Sequence, residues 1–396
     1  MNLLSAAERF AAIDRSEVLL LSERCLYSRD QFSTCEACFD VCPVGAIQPG
    51  KPPALIADKC QSCLACLPVC QTGAYSADDA VQPLLACVTR LETKTVELVC
   101  ALHGAAGVGS STETVGIRVQ GCLAGLGIGT YLALAAMGLE RIILRLDACV
   151  DCPWAALQRT VQTQVDQANR LLTHWGKGKS LVFVLELDEQ SERPLWDAKN
   201  PPLSRRDLFR LAAHQGQVAM ARAMSQQHAE TAHCLGRDRL RLNNAVAHLP
   251  EPTLFLDAPI AGDNFTTLSV SDACNACATC ARACPTDALN FHVNDEKTYY
   301  HLYFNAQACI GCEACVHVCI PDAVELNKVP TFSQVFGQSE PYTVNEGELR
   351  QCSQCKTLIA ARTDQDLCPV CAYRRRNPFG SLIPPGIKTA SKKPGV

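Results

Sequence analysis

Cysteine spacing constrains this chain more than any other feature of its sequence. The 396 residues include 26 cysteines, and most of them stand in Cys-x2-Cys pairs. Two cysteines at this spacing can reach one metal from a single turn, whereas a disulfide scaffold joins distant strands. The spacing therefore predicts thiolate–metal chemistry in a reducing compartment rather than a secreted disulfide fold.

The composition favours a multi-domain globular protein. A chain of this length predicts two to four domains, and an apolar fraction of 48% is enough for buried cores. The net charge is only -4, so there is no electrostatic reason to expect nucleic acid as the main partner. Charged residues interrupt the first apolar stretch, MNLLSAAERFAAIDRSEVLLL, and we expect a cytoplasmic location.

The longest uncharged stretch, residues 119–139, raises the question of a membrane span. It is about as long as a bilayer requires, but it contains Gln120, Cys122 and five glycines. The strand-like sequence RIILRL follows closely. These features predict a helix buried in an α/β domain and no membrane span.

Two cysteine runs of the same form lie near the C-terminal third of the chain. Small residues between the cysteines would let the backbone wrap closely around a cluster. The first run is Cys274, Cys277, Cys280 and Cys284, followed by Pro285, and the second is Cys309, Cys312, Cys315 and Cys319. This pattern resembles the bacterial dicluster ferredoxins, whose cysteine runs bind [4Fe-4S] clusters.

The ferredoxin resemblance implies crossed ligation, in which the fourth cysteine of each run serves the other cluster. One [4Fe-4S] cluster would be held by Cys274, Cys277, Cys280 and Cys319. The other would be held by Cys309, Cys312, Cys315 and Cys284. Structural zinc is the alternative.

An earlier block repeats the pattern with one gap. The run Cys60, Cys63, Cys66 and Cys70 is intact, but the run before it has Phe32 where a first cysteine is expected. Cys25 stands upstream and is the candidate replacement. The same resemblance implies one cluster on Cys25, Cys35, Cys38 and Cys70, and one on Cys60, Cys63, Cys66 and Cys42. A three-iron cluster or a labile fourth corner is the alternative at the first site.

Residues 95–187 alternate between strand and helix patterns. Apolar runs predict strands at 96–99, 115–119, 141–146 and 181–187, with helices over 123–137 and from Pro153. Cysteines follow three of these strands: Cys100, Cys122, Cys149 and Cys152. If the strands are parallel, these cysteines meet at the carboxyl edge, where open α/β sheets bind ligands. Cys122 and Cys152 would lie at helix N-termini, which favour the thiolate.

This middle region resembles the delta subunit of the methyl-viologen-reducing hydrogenase. The sequences IRVQGC at 117–122 and GLERIILRLDACVDC at 138–152 carry the resemblance. It implies an electron-transfer domain with a [2Fe-2S] cluster on Cys100, Cys122, Cys149 and Cys152. The extra cysteine usual in that family beside the first one is missing, and Leu102 and His103 follow Cys100 here. A structural zinc site or buried thiols are the alternatives.

Two further cysteine pairs lie near the C-terminus. Cys352 with Cys355 and Cys368 with Cys371 have the spacing of a zinc ribbon, with a rubredoxin-like single iron as the alternative. Cys87 and Cys234 fall outside every run and are expected to be ordinary thiols.

The predicted fold class is α+β and multi-domain. Two ferredoxin-like dicluster modules (1–80 and 263–330) flank an α/β domain with a parallel sheet (81–200). A helical linker (201–262) precedes the second module. A zinc-ribbon-like knuckle pair (331–378) and a disordered tail (379–396) follow it.

These patterns predict an iron–sulfur electron-transfer protein with four [4Fe-4S] clusters, one [2Fe-2S] cluster and one zinc ion. The expected partner is a redox enzyme subunit of the formate dehydrogenase, hydrogenase or heterodisulfide reductase type, and no independent catalysis is expected. One alternative is a docking or maturation factor that binds its enzyme through residues 204–210 (SRRDLFR) and the ribbon. Another is a reductase acting at the middle-domain cysteines. The oligomeric state is left open.

Overall fold

The computed structural model describes residues 18–78, 80–187, 191–202, 235–260, 265–338, 340–361 and 366–377. The chain divides into two compact units. The first contains the described residues up to Cys25 and from Glu36 to Leu256, and the second contains Leu26–Cys35 and the described residues from Asp257 onwards. Residues 204–210, Cys234 and the predicted tail lie outside the described residues.

The described strands are short except in the middle of the chain and near the C-terminus. In chain order they are β1 (Leu19–Leu20), β2 (Ile47–Gln48), β3 (Ala54–Leu55), β4 (Tyr75–Ser76), β5 (Thr95–Val99), β6 (Val108–Gly109), β7 (Val115–Arg118), β8 (Arg141–Arg145), β9 (Leu181–Val184), β10 (Ser191–Glu192), β11 (Leu195–Asp197), β12 (Thr267–Val270), β13 (Leu289–Val293), β14 (Tyr299–Phe304), β15 (Val324–Asn327), β16 (Tyr342–Gln351) and β17 (Leu358–Ala360).

The described helices are mostly one or two turns long. They are α1 (Leu26–Arg29), α2 (Ala37–Val41), α3 (Cys66–Val69), α4 (Val81–Val88), α5 (Ile128–Ala136), α6 (Leu157–Leu172), α7 (Arg237–His248), α8 (Thr279–Ala283), α9 (Ala314–His317), α10 (Phe332–Phe336) and α11 (Pro369–Arg376). Single 3-10 turns occur at Ser22–Arg24, Ala57–Lys59, Leu123–Gly125 and Thr173–Trp175.

A five-stranded parallel sheet forms the centre of the first unit. Its strand order is β11-β7-β5-β8-β9, and each neighbouring pair is parallel. Strand β5 is almost entirely buried, as expected for a parallel strand covered on both faces. The four predicted strands of the α/β domain are confirmed within a few residues, and β11 is an additional edge strand.

The helices beside this sheet differ from prediction at their N-terminal ends. The predicted helix 123–137 is interrupted, because Gly127 has a φ of 79° and α5 begins only at Ile128. Gly138, with a φ of 96°, follows it as expected. Helix α6 begins at Leu157 rather than at Pro153, because the intervening residues form turns around Cys152.

Helix α7 lies within the predicted linker and belongs to the first unit. It packs against α5, and the buried Asp238 carboxylate accepts a hydrogen bond of 2.8 Å from the Gly129 N–H. Asp238 thereby caps the N-terminus of α5 across 109 residues of sequence. In the described part of the chain, no helix combines the length and apolarity that a bilayer crossing requires.

A buried ion network lies on the same sheet. Glu97 of β5 is fully buried, and its carboxylate contacts Arg145 at 3.2 Å and Arg193 at 3.1 Å. Ser110 and Thr114 donate further hydrogen bonds to this carboxylate. Burial opposes ionisation of Glu97, but the hydrogen bonds from Ser110 and the two guanidinium groups outweigh it and lower its pKa.

The two units share one small-strand topology. In the first unit β1 pairs with β4 and β2 pairs with β3, and in the second β12 pairs with β15 and β13 pairs with β14. All four pairs are antiparallel, with an inner hairpin between two outer strands. In the second unit the sheet continues as β13-β14-β16-β17 and reaches the C-terminal cysteine pairs.

Candidate metal centres

The second unit gathers its eight run cysteines into two groups of four. Cys274, Cys277, Cys280 and Cys319 line one pocket, and Cys284, Cys309, Cys312 and Cys315 line another. Burial, together with the nearby Cys277 sulfur, raises the pKa of Cys280 to about 12. Burial and the Cys284 sulfur act in the same direction on Cys312 and raise its pKa to about 12. The two pockets therefore follow the crossed grouping that the ferredoxin resemblance implies.

Three cysteine loops share one backbone form around their middle cysteine. The residues before and after that cysteine both have positive φ, although five of the six are not glycine. They are Ser62 (53°) and Leu64 (66°), Ala276 (60°) and Ala278 (58°), and Gly311 (66°) and Glu313 (63°). A non-glycine residue in this region costs about 1–2 kcal/mol, so its recurrence at equivalent positions indicates a shared requirement. Such turns direct backbone N–H groups towards an anion, and cluster sulfides accept such bonds.

A second repeat follows the fourth cysteine of each run. Three residues after it stands a residue of positive φ, and a buried alanine comes next. The four sets are Cys42, Gly45 and Ala46; Cys70, Gly73 and Ala74; Cys284, Asp287 and Ala288; and Cys319, Asp322 and Ala323. In three sets the alanine N–H donates to the cysteine Sγ at 3.2 Å. The sequence prediction missed these alanines, although the recurring Cys-x2-(Gly/Asp)-Ala pattern marks them.

Residues 273–323 match the family model of the 4Fe-4S dicluster domain. The match covers both cysteine runs of the second unit. Iron–sulfur chemistry is thereby supported for this part of the chain. Neither the curated proteins nor the solved structures provided a match to the chain.

Polar groups contact the sulfurs and a loop of the dicluster domain. The Thr266 hydroxyl lies 3.1 Å from the Cys309 Sγ. His317, between Cys315 and Cys319, has its Nδ1 2.7 Å from an Asp30 carboxylate oxygen and its ring against Phe32. Its observed partners come from Leu26–Cys35, which belongs to the same unit.

In the first unit, Cys42 and the loop from Cys60 to Cys66 approach one another. Burial is the main cause that raises the pKa of Cys63 to about 11, and the Cys42 and Cys60 sulfurs add to it. Burial and the Cys63 sulfur raise the pKa of Cys66 further still. The sulfurs of Cys42, Cys60, Cys63 and Cys66 therefore lie near enough to affect one another's pKa, and the Cys70 sulfur also affects Cys66.

The loop around Cys35 differs from the three others. Its neighbour Glu36 has a φ of -119°, and helix α2 begins at the next residue. This different backbone conformation occurs in the run where Phe32 stands in place of a cysteine. Cys25, Cys38 and Cys70 belong to the first unit and Cys35 to the second, so shared ligation by these four stays a prediction.

The parallel sheet brings the middle-domain cysteines to one edge. Cys100 follows β5, Cys122 follows β7, and Cys149 and Cys152 follow β8. Burial, with the Cys152 sulfur nearby, raises the pKa of Cys100 to about 11. Burial and the Cys100 sulfur raise the pKa of Cys149 to about 12. The expected meeting of these four side chains at the carboxyl edge is in keeping with these mutual effects.

The expectation that Cys122 and Cys152 lie at helix N-termini is wrong in placement, because α5 begins only at Ile128 and α6 only at Leu157. Burial raises the pKa of both thiols. The backbone N–H groups of Ala124 and Trp154 lower it, but by less than burial raises it. Without a bound cation, these cysteines therefore favour the neutral thiol.

The middle site touches a candidate cluster loop directly. The Cys122 backbone N–H donates a hydrogen bond of 3.2 Å to the Cys63 carbonyl. Close by, the Trp154 indole N–H donates to the Gln61 side-chain oxygen at 2.7 Å. Both contacts lie within the first unit and join the edge of the sheet to the loop that follows Cys60.

The C-terminal cysteines form a different kind of group. Within the described ranges, Cys352, Cys355, Cys368 and Cys371 form the group whose ligand atoms all lie within 4.8 Å of one another. Four thiolates on one zinc are about 3.8 Å apart, from a Zn–S bond of about 2.3 Å. The Cys355 and Cys368 sulfurs are 3.7 Å apart. This tetrad therefore suits one ion. The other cysteine groups, whose sulfurs are not all this close together, suit multinuclear clusters.

The pKa values of the tetrad cysteines shift in opposite directions. Backbone N–H groups of Cys355 and Cys368 lower the pKa of Cys352 to about 6. The adjacent Cys368 sulfur and burial raise the pKa of Cys371 to about 12. A bound dication would stabilise all four as thiolates, since coordination deprotonates a thiol. None of the cysteines in the described residues forms a disulfide.

Proposed function

We propose that this protein is an iron–sulfur electron carrier, acting as a cytoplasmic subunit or accessory partner of a redox enzyme complex. A complex of the formate dehydrogenase, hydrogenase or heterodisulfide reductase type is the proposed setting. The observation that carries the proposal is the hydrogen bond between Cys122 and Cys63, because it joins the loops of two candidate redox centres. Bound clusters would supply one-electron chemistry. The chain would hold them through cysteines most of which are buried or half-buried, with Cys35 and Cys277 exposed.

The first block is proposed as a second dicluster module. Its strand pairing, β1 with β4 and β2 with β3, follows the same plan as β12 with β15 and β13 with β14 around residues 273–323. The loop from Cys60 to Cys66 has the same pair of positive-φ residues as both loops of the dicluster domain. The turns after Cys42 and Cys70 carry the same alanine-to-sulfur hydrogen bond as Cys319. These features support four [4Fe-4S] clusters in all.

The middle domain is proposed to hold one [2Fe-2S] cluster, and the C-terminal tetrad one zinc ion. The middle cysteines fit a cluster because Cys100 and Cys122 are buried, Cys149 and Cys152 are half-buried, and all four follow strands that end at one edge of the sheet. The tetrad fits zinc because its sulfurs lie close enough for a single ion. The sheet β13-β14-β16-β17 links the ribbon to the dicluster hairpin, and a protein-docking role suits it.

The test is the metal content of anaerobically purified protein, followed by reduction with dithionite. We expect about 18 iron and about one zinc per chain, with a visible spectrum that bleaches and recovers. About 16 iron with extra zinc would remove the middle cluster from the proposal. A spectrum that dithionite leaves unchanged would overturn electron transfer.

A matched pair of cysteine variants sharpens the test. Cys312→Ser removes a proposed ligand of the dicluster domain, whereas Cys87→Ser removes a fully buried thiol outside every run. We expect the first variant to lose about one to four iron and to pass electrons more slowly, and the second to keep both properties. If Cys312→Ser supports its partner enzyme as well as the unaltered protein does, a docking or maturation role replaces the carrier.

A further inference from the structure

We infer that His103 is an iron ligand of the middle-domain centre, bonded through Nδ1, so that this centre has mixed nitrogen and sulfur ligation. This inference rests on the proposed middle cluster and changes one of its four ligands. His103 follows the turn that begins at Cys100, and its side chain is only 1% exposed.

The partners of the ring fix which nitrogen is available. His103 Nε2 lies 3.3 Å from an Asp147 carboxylate oxygen, and Nδ1 is buried without a hydrogen-bond partner. Arg145 holds both oxygens of Asp147, with Nε–Oδ1 and Nη2–Oδ2 distances of 2.7 Å and 2.8 Å. A carboxylate at Nε2 selects the tautomer protonated there, so that Nδ1 carries the lone pair. Metal-bound histidines commonly have such a carboxylate partner.

Two turns at this edge of the sheet have the same form. The His103 N–H donates to the Cys100 carbonyl at 3.2 Å, and the Cys152 N–H donates to the Cys149 carbonyl at 3.2 Å. Each turn presents a donor side chain at its first and fourth positions, which is the arrangement that chelates a metal in Cys-x2-Cys knuckles. His103 thus occupies in one turn the place that Cys152 occupies in the other.

The pairing of these two turns then leaves Cys122 outside the ligand set. A [2Fe-2S] cluster takes four protein ligands, two on each iron. The pair Cys100 and His103 would serve one iron, and the pair Cys149 and Cys152 would serve the other. Cys122 remains a buried thiol whose backbone joins the site to the Cys63 carbonyl. A neutral imidazole in place of a thiolate raises the reduction potential, as it does in Rieske centres.

The experiment uses pulsed electron paramagnetic resonance on the reduced full-length protein, with histidine labelled by 15N. We expect a nitrogen coupling to the [2Fe-2S] signal that His103→Cys abolishes while the iron content stays at about 18. The midpoint potential of that signal should fall in this variant. His103→Ala should lose about two iron and keep about 16, and the retained iron would show that the chain has folded.

The matched variant Cys122→Ser decides between the two ligand sets. We expect it to keep the nitrogen coupling and about 18 iron per chain. A loss of two iron from Cys122→Ser would overturn the role of His103. A nitrogen coupling that persists in His103→Cys would do the same. Absence of any [2Fe-2S] signal from the unaltered protein would instead overturn the middle cluster itself, so the two failures are distinct.

Discussion

Gly125 lies against Leu64 so closely that a methyl group on Gly125 would be 2.9 Å from the Leu64 Cβ and 3.2 Å from the Cys63 carbonyl oxygen. A contact under 3 Å forces one loop to move. The Gly125→Ala variant should therefore separate the middle site from the Cys60 loop without removing any ligand. We expect unchanged iron content, weaker magnetic coupling between the two reduced centres and electron exchange slowed several-fold.

Gly107→Ala is the matched control for this separation, because nothing lies within 4 Å of a Cβ at that position. It should leave the magnetic coupling and the exchange rate as they are in the unaltered protein. Equal magnetic coupling in the Gly125→Ala and Gly107→Ala proteins would show that the contact between the two loops does not determine how strongly the two centres interact.

Glu97→Gln should destabilise the first unit. The substitution leaves Arg145 and Arg193 buried beside a neutral amide, and breaking a buried ion pair from one side costs about 3–5 kcal/mol. The measurement is the apparent Tm of the first unit under anaerobic conditions. Glu140→Gln, at an exposed pair with Lys94, should leave the Tm unchanged. A Glu97→Gln protein as stable as Glu140→Gln would contradict a structural role for the network.

Asp238 predicts a specific pH dependence of stability. Burial raises the pKa of Asp238 from 3.8 to about 7, although the Gly129 N–H opposes the shift. From about pH 4 to about pH 7 the folded chain retains a proton that the unfolded chain has released. This group therefore lowers stability as the pH rises through that window, by an amount on the order of 4 kcal/mol.

The Asp238→Asn variant isolates this effect. The Tm of the variant minus the Tm of the unaltered protein should increase from about pH 5.5 to about pH 7.5. The exposed Asp257→Asn variant should show no such gain. A Tm difference that is the same at both pH values would mean that Asp238 stays ionised throughout as the cap of α5.

Cys371→Ser should remove the metal of the C-terminal tetrad alone. Cys371 is buried among the sulfurs of Cys352 and Cys368, and a three-thiolate site holds zinc less tightly. We expect the loss of about one zinc per chain with iron unchanged. Elemental analysis measures both, and Ser353→Ala, beside Cys352 of the same tetrad, is the control. Loss of one iron in place of zinc would identify a rubredoxin-like centre.

Local patterns in the sequence were sufficient for much of the first unit. Apolar runs give β5, β7, β8 and β9 because buried parallel strands need continuous apolar residues. The convergence of Cys100, Cys122 and Cys149 then follows from the parallel order alone, since all carboxyl ends share one edge. The spacing of cysteines likewise indicates which of them can share a turn.

Other features depend on contacts that spacing does not encode. Asp238 caps a helix 109 residues away, and Asp30 contacts His317 across 287 residues. No periodicity in either segment points to its partner. The raised pKa of Cys122 was also not predicted, because burial raises this pKa by more than the nearby backbone N–H groups lower it.

The residues of positive φ beside Cys63, Cys277 and Cys312 bear on how quickly the cluster-free protein is degraded in a cell. Ser62, Leu64, Ala276, Ala278 and Glu313 each hold a conformation that costs about 1–2 kcal/mol. A polypeptide synthesised during iron starvation would relax these loops first and release Leu64, only 2% exposed, towards proteases. Cellular abundance of the protein should therefore follow the supply of assembled clusters, which pulse-chase labelling under iron limitation would measure.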